Sequence, residues 1–144
     1  MPVLLSPWLS IHVSFIMISY ALFAFIGLCS ILALAVRKQV AQMQRLTLCC
    51  RLLLYPAVLL LGIGIFIGAV WANVSWGSYW TWDPKEVWAL ITFLIYGAAF
   101  HGKSFSLFRH PGVFHLYLIL AFSTVLMTYF GVNYVLGGMH SYAG

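Results

Sequence analysis

Eleven residues between two long apolar runs carry much of the chain's distinctive chemistry. The stretch Trp76–Glu86, WGSYWTWDPKE, holds three of the six tryptophans and both acidic residues. Indole rings combine a large apolar face with an N–H donor, so a cluster of them can form a flat platform for a large planar ligand. Lys85, near the end of this stretch, could pair with an anionic substituent of that ligand.

Two histidines flank this stretch in the sequence, His12 before it and His140 after it. Neutral imidazole is a good ligand of haem iron, and two imidazoles on opposite faces of one porphyrin satisfy both axial positions. The indoles of the intervening stretch could then lie against the macrocycle. This chemistry requires both histidines and the tryptophan-rich stretch to meet on one side of the protein.

The composition indicates that the protein lies in a membrane. Of the 144 residues, 64% are hydrophobic and only 6% are charged, whereas soluble domains have about 25% charged residues. The net charge of +5 does not indicate a nucleic-acid partner, because four of the seven basic residues lie in one connector between apolar runs. A basic connector of this kind is typical of a topology signal, and here it consists of Arg37, Lys38, Arg45 and Arg51.

The apolar runs predict an all-α integral membrane protein with about four transmembrane helices in a single domain. A span needs about 20 mainly apolar residues to cross roughly 30 Å of hydrocarbon. The predicted spans cover approximately residues 9–36, 52–72, 87–101 and 113–136 of the domain, which comprises residues 1–144. The basic segment 39–51 is predicted to form a helix along the membrane surface, ahead of the second span.

Local signals predict how the third span begins and how the second one packs. Asp83 is expected to be the N-cap, Pro84 the first helical residue and Glu86 the partner in a capping box. Three glycines in the second span would allow a neighbouring helix to approach closely; they are Gly62, Gly64 and Gly68.

The distribution of lysine and arginine predicts the orientation. The first connector has four such residues and the third has two, whereas the tryptophan-rich loop has only Lys85 and the two ends of the chain have none. By the positive-inside rule, the first and third connectors face the cytoplasm or its equivalent. We therefore expect the N-terminus, the tryptophan-rich loop and the C-terminus all to lie outside.

That topology would gather His12, the loop and His140 at one membrane face, although each feature alone has a simpler explanation. His12 could be an interfacial or hydrogen-bonded residue, His140 could lie in a solvated tail, and the tryptophans could form a membrane belt. His101 lies on the order of 25 Å below the loop by helical rise, so it cannot bind the same ligand. It is either a functional residue at the inner end of a span or part of a helix end.

The same residues resemble a known family. The run from Trp76 to Glu86, continuing as VWALITFLIY to Tyr96, resembles the tryptophan-rich WWD motif of haem-handling proteins. The DPKE and WALI portions make it most similar to CcsA (ResC), the membrane component of system II cytochrome c synthases, rather than to the related CcmC and CcmF types. The likeness extends to SPWLSIH, which ends at His12, and to GGMHSYA, which contains His140.

The resemblance implies a specific site. It implies that haem b is held at the outer face with His12 and His140 as axial ligands of the iron, and that His101 belongs to an inner haem site. The loop residues implied to contact the cofactor are Trp76, Gly77, Trp80, Trp82, Asp83 and Lys85. No residue of the chain is expected to be catalytic, because the reactive thiols come from the CxxCH motif of apocytochrome c and the protein positions haem and excludes water.

The resemblance also implies partners and a location. A CcsB (ResB)-type membrane protein, apocytochrome c and membrane lipid are the expected partners. The loop would face the periplasm from a bacterial inner membrane, or the lumen from a thylakoid membrane. Proteins of this type usually have additional N-terminal membrane helices, one of them with a second inner histidine, so the chain is expected to be the C-terminal part of a longer architecture.

Three functions remain open on the sequence. The first is a component of a holocytochrome c synthase (haem lyase), which joins haem to apocytochrome c through thioethers. The second is a CcmC-like module that transports or chaperones haem without forming the bond. The third is a structural subunit of another membrane complex, in which the tryptophans serve only as a belt.

Overall fold

Four α-helices form the framework of the protein. The computed structural model describes residues 6–102 and 104–136, and no β-strand occurs in these two ranges. The helices are α1 (Pro7–Ala35), α2 (Val40–Trp76), α3 (Pro84–Ala98) and α4 (Pro111–Leu126). Short 3-10 helices follow α3 at Ala99–His101 and precede α4 at Ser106–Arg109, and α4 continues directly as a π-helix at Met127–Leu136.

Three helical segments in the described ranges are long and apolar enough to cross a membrane, and they confirm an all-α integral membrane protein. They are Pro7–Ala35, Val40–Trp76 and Pro111–Val135. The α3 helix has 15 residues, fewer than the roughly 17 to 25 of a typical span. The predicted fourth span, and the orientation of both termini, therefore stay predictions.

The α2 helix corrects one expectation about the basic connector. The sequence predicted a helix along the membrane surface at residues 39–51 and then a span at 52–72, but both belong to one 37-residue helix. The physical reason is that the basic segment contains no proline or glycine that would end a helix before the apolar run begins. Pro56 consequently lies well inside this helix.

Polar contacts show that α1 and α2 are antiparallel neighbours. The Ser19 hydroxyl donates to the Ala57 carbonyl at 2.7 Å, and the His12 ring contacts the Gly64 carbonyl, so later residues of α2 pair with earlier residues of α1. Each bond satisfies a polar side chain within an apolar interface. The start of α1 and the end of α2 therefore lie at the same end of the bundle, next to the tryptophan-rich loop.

A buried histidine ties three helices together at the opposite end. The side chain of His115, in the first turns of α4, is fully buried. Its Nε2 lies 2.8 Å from the Thr47 hydroxyl, and its Nδ1 lies 3.0 Å from the Ser30 hydroxyl. Since Thr47 donates its own proton to the Met43 carbonyl, Nε2–H is the donor to Thr47 and Nδ1 accepts from Ser30. The ring thus holds α4 against α1 and α2.

The packed interior lies between these two ends. Phe23 of α1 and Tyr96 of α3 are both fully buried, and their rings stack with centroids 3.8 Å apart. The Tyr117 hydroxyl of α4 donates to the Ile95 carbonyl of α3 at 2.6 Å. These contacts fix α3 against α1 and α4, and so fix the position of the loop that leads into α3.

Candidate ligand-binding site

A cavity of about 750 Å³ opens beside the tryptophan-rich loop, at the end of the bundle where α1 and α3 begin. Its volume is within the range of about 300 to 1,000 Å³ that is usual for small-molecule and cofactor sites. The walls come from α1, α2, the loop, the start of α3 and the π-helix, and they are mainly apolar. The polar residues among the lining include Ser10, His12, Lys85, Glu86 and Asn133.

His12 presents a defined tautomer in this cavity. Its Nδ1 lies 2.7 Å from the Gly64 carbonyl oxygen. Because a carbonyl oxygen can only accept, Nδ1 must carry the proton, and the lone pair of the neutral ring is on Nε2. Histidines that bind metals almost always donate their other ring N–H in this way, often to a backbone carbonyl. The hydrogen bond to Gly64 thus places the lone pair of His12 on the ring nitrogen through which such histidines bind a metal.

Two glycines of α2 make room for this histidine and its helix. A Cβ atom on Gly68 would lie 2.6 Å from His12 Cε1 and 2.7 Å from Nδ1, and one on Gly64 would lie 2.6 Å from Ile16 Cδ1. Gly62 faces α3 instead, since a Cβ there would lie 3.0 Å from a ring carbon of Phe93. The predicted role of these glycines in close helix approach is confirmed. Sequence alone did not show that one of them adjoins the His12 ring.

The predicted capping box at the start of α3 is confirmed. The Asp83 carboxylate accepts from the Lys85 backbone N–H at 3.0 Å, and the Glu86 carboxylate accepts from the Asp83 backbone N–H at 3.2 Å. Asp83 is buried, with 6% of its surface exposed. It serves as the helix cap and does not line the cavity, although the sequence grouped it with the cofactor-binding residues.

The tryptophans of the loop have different positions. Trp80 lines the cavity, and Trp82 meets it edge to face with ring centroids 5.9 Å apart. Trp82 itself is 73% exposed and does not line the cavity. Trp76 packs edge to face against Trp71 at 4.9 Å, and it too is outside the cavity lining.

Gly77 has a structural role at the junction between α2 and the loop. It ends α2 in the left-handed conformation, with φ at +76°, and its N–H donates to the Asn73 carbonyl at 2.8 Å. A glycine at this position is the usual way to end a helix, because it has no Cβ to oppose a positive φ. Gly77 therefore sets the direction of the loop and is not part of the cavity wall.

Lys85 provides the positive charge of the cavity lining. Its side chain is half-buried at the start of α3, outside the three segments that cross the membrane. Burial lowers the pKa of this ammonium group, and the neighbouring Asp83 carboxylate partly opposes the shift. An anionic group of a bound ligand would stabilise the charged form further.

The other two predicted histidines are not part of this arrangement. His101 is exposed at the far end of α3, where its carbonyl accepts from the backbone N–H groups of Ser104 at 2.8 Å and Phe105 at 3.0 Å. Sixteen positions separate it from Lys85, or roughly 24 Å of helical rise. His140 lies outside the described residues.

These features define a class of protein: an integral membrane helical bundle with a mainly apolar ligand cavity at one end, lined by an imidazole, an indole and an ammonium group. A family model described as cytochrome C assembly protein matches residues 1–140. The chain therefore belongs to the cytochrome c assembly protein family.

Individual relatives agree with this assignment. Protein NrfI of Wolinella succinogenes is 39% identical over 153 aligned residues, which cover 99% of this chain and 17% of NrfI. The cytochrome c biogenesis proteins CcsA of Pyropia yezoensis and of a Synechococcus species (strain JA-2-3B'a(2-13)) are each 49% identical over 85 residues. These matches cover 58% of this chain, and 26% and 23% of the relatives. The predicted resemblance to CcsA is confirmed, and the chain spans about a quarter or less of these relatives' lengths.

Proposed function

We propose that the protein binds haem b in the cavity beside the tryptophan-rich loop and presents it for attachment to apocytochrome c. The observation that carries this proposal is the hydrogen bond from His12 Nδ1 to the Gly64 carbonyl at 2.7 Å. It fixes the tautomer of a cavity-lining imidazole, with the N–H on Nδ1 and the ring's lone pair on Nε2, and this is the arrangement that metal-binding histidines usually adopt. Membership of the cytochrome c assembly family supports the choice of haem as the metal compound.

The residues of the cavity suit an iron porphyrin. The lining is mainly apolar and includes Trp80, whose ring can cover part of a planar macrocycle. Lys85 supplies a positive charge that can pair with a propionate. In this proposal His12 and His140 would together hold the haem iron through their imidazoles. The sequence position of His140, six residues after the cavity-lining Tyr134, supports this pairing.

The chain's own residues bind and orient the cofactor, and none of them acts as a catalyst in this proposal. Bound haem supplies the two vinyl groups to which the cysteines of a CxxCH motif add. The apolar walls exclude water, and His12, Trp80 and Lys85 fix the orientation of the macrocycle. This division of labour would make the protein a component of a holocytochrome c synthase.

The proposed orientation follows from the basic residues. We place the cavity at the outer face, either the periplasmic side of a bacterial inner membrane or the lumenal side of a thylakoid membrane. Residues 87–101, which comprise most of α3 and its 3-10 extension, would be the remaining span, with both termini of the chain outside. His101, exposed at the other end of α3, would then belong to a separate inner haem site, beside a CcsB (ResB)-type partner.

Purification in mild detergent, followed by absorbance spectra with and without reductant, tests haem binding. The wild-type protein should show a haem Soret band and the sharp visible bands of a six-coordinate haem. His12→Ala should lose most of the haem, and added imidazole should restore part of it by occupying the open position. Gly97→Ala is the matched control, because a Cβ there meets nothing within 4 Å.

The outcomes separate the possible functions. A protein that binds no haem after loading would contradict the proposal and favour a structural subunit with a tryptophan belt. Haem binding without thioether formation on a co-expressed CxxCH substrate and its membrane partner would favour haem transport. Thioether formation that depends on His12 supports the synthase.

A further inference from the structure

We infer that Glu86 is a positioning residue that clamps the tryptophan-rich loop and holds the Trp80–Trp82 pair at the cavity. This inference rests on the proposed function, because it assigns the pair a place against the cofactor. The sequence assigned Glu86 only a helix-capping role. The contacts of its carboxylate go beyond what capping requires.

Backbone N–H groups on both sides of Trp82 donate to the same carboxylate. Glu86 Oε2 accepts from the Thr81 N–H at 2.8 Å and from the Asp83 N–H at 3.2 Å. The Thr81 hydroxyl lies 3.4 Å from both carboxylate oxygens. In a capping box only the bond to the N-cap residue, here Asp83, is needed. The shorter bond to Thr81 is therefore an additional restraint on the loop.

The residue between these two bonds has a strained backbone. Trp82 has a φ of 59°, the one positive φ among the described residues that are not glycine. A bulky side chain rarely adopts this conformation, and it persists only where surrounding interactions hold it. The two bonds to Glu86 bracket Trp82 and supply such interactions. Without them, we expect the backbone at Trp82 to relax to negative φ.

Relaxation at Trp82 would change the aromatic pair. Its indole meets that of Trp80 at an interplanar angle of 90°, with centroids 5.9 Å apart. Trp80 is the member of the pair that lines the cavity, so Trp82 supports it from outside. A change in φ at Trp82 redirects its side chain and removes this support. Glu86 thus acts on the cavity through the loop.

Although Glu86 also lines the cavity, its carboxylate is occupied by these donors. These contacts to the loop assign Glu86 a positioning role.

Hydrogen exchange measured by mass spectrometry on the detergent-purified protein tests the clamp directly. In the wild type, the amides of Thr81 and Asp83 should exchange slowly. Glu86→Ala should speed their exchange at least tenfold, and haem should dissociate at least tenfold faster. Glu86→Gln keeps one carbonyl acceptor, so it should restore part of both properties. Such rescue is not expected if the residue merely fills space.

Asp83→Ala is the matched control, because it removes the other half of the capping box. It leaves the Glu86 carboxylate in place, so the amide of Thr81 should stay protected while the start of α3 exchanges faster. If the Thr81 amide loses its protection from exchange equally in Glu86→Ala and Asp83→Ala, the inference is wrong, and Glu86 acts only as part of the helix cap.

Two further outcomes decide the rest of the inference. If Glu86→Ala speeds the exchange of both amides but leaves the haem spectrum and haem dissociation unchanged, the loop does not position the pair for the cofactor, and the inference is wrong. If the amides of Thr81 and Asp83 exchange slowly in the wild type but the wild type binds no haem, the proposed function is refuted. In that case the exchange data still support the hydrogen bonds of Glu86 as a restraint on the loop.

Discussion

Replacement of Gly68 by alanine tests whether α2 prepares His12 as a ligand. The added Cβ would lie 2.6 Å from His12 Cε1, 2.7 Å from Nδ1 and 3.3 Å from Nε2. Separations below 3.0 Å are essentially never found for real Cβ atoms, so the imidazole must move. The bond from Nδ1 to the Gly64 carbonyl, 2.7 Å in the native protein, is then lengthened or lost.

The expected effects on stability and on ligand affinity differ. Overpacking costs about 1 to 3 kcal/mol of folding free energy, and a lost hydrogen bond costs about 0.5 to 1.5 kcal/mol. The higher helix propensity of alanine stabilises the helix by about 1 kcal/mol and offsets part of this cost. The net destabilisation of Gly68→Ala should therefore be about 0.5 to 3.5 kcal/mol. Loss of the partner that orients a metal-binding histidine typically lowers metal affinity about 10- to 100-fold.

Haem titration in detergent, monitored by absorbance, measures the affinity, and thermal unfolding measures the stability. Gly97→Ala should leave both nearly unchanged, because a Cβ at Gly97 meets nothing within 4 Å. The double variant Gly68→Ala/His12→Ala should bind haem no more weakly than His12→Ala alone, since both changes act on one interaction. Wild-type affinity in Gly68→Ala, or additive losses in the double variant, would refute the reasoning.

Two further predictions concern the start of α3. Asp83→Ala should destabilise the protein by about 1 kcal/mol through loss of the N-cap, and an unchanged unfolding temperature would contradict the capping role. Burial lowers the pKa of Lys85, so at this group the unfolded state binds more protons, and the contribution of Lys85 to stability should rise with pH up to about 10.4, the ordinary lysine value. Thermal unfolding between neutral pH and that value should show a less favourable change of stability with pH for Lys85→Gln than for the wild type, and identical slopes would argue against the burial effect.

The sequence predicted those parts of the structure that depend on local patterns. Runs of apolar residues identified the membrane-spanning helices, and the spacing of Asp83, Pro84 and Glu86 identified the start of α3 because a capping box is formed within four residues. The continuity of α2 through Arg51 was missed. A basic segment at a membrane surface and the first turns of a long helix have the same composition, and no local residue distinguishes them.

The essential contacts of the site could not be predicted, because they join residues distant in the sequence. His12 and its carbonyl acceptor on Gly64 are 52 positions apart. The sequence shows neither that these two groups pair nor which ring nitrogen of His12 carries the proton. The same holds for His115, whose partners Ser30 and Thr47 are 85 and 68 positions away. Only the folded arrangement of α1, α2 and α4 brings these groups together.

The structure was also needed to show which residues of the tryptophan-rich loop line the cavity and which have structural roles. All the loop residues singled out by the sequence lie within ten positions of one another. Yet Trp80 and Lys85 line the cavity, whereas Trp76 packs on Trp71 and Gly77 ends a helix. The direction of the backbone determines which of these side chains reach the cavity. The positive φ angles of Gly77 and Trp82 contribute to that direction.

Electron paramagnetic resonance of the haem-loaded ferric protein tests the central claim most directly. If His12 supplies an axial imidazole through Nε2, the wild type should give a low-spin signal typical of two imidazole ligands. His12→Ala should convert it to a high-spin signal, and added imidazole should return it to low spin. An unaltered low-spin signal in His12→Ala would contradict the assignment of this histidine as a haem ligand.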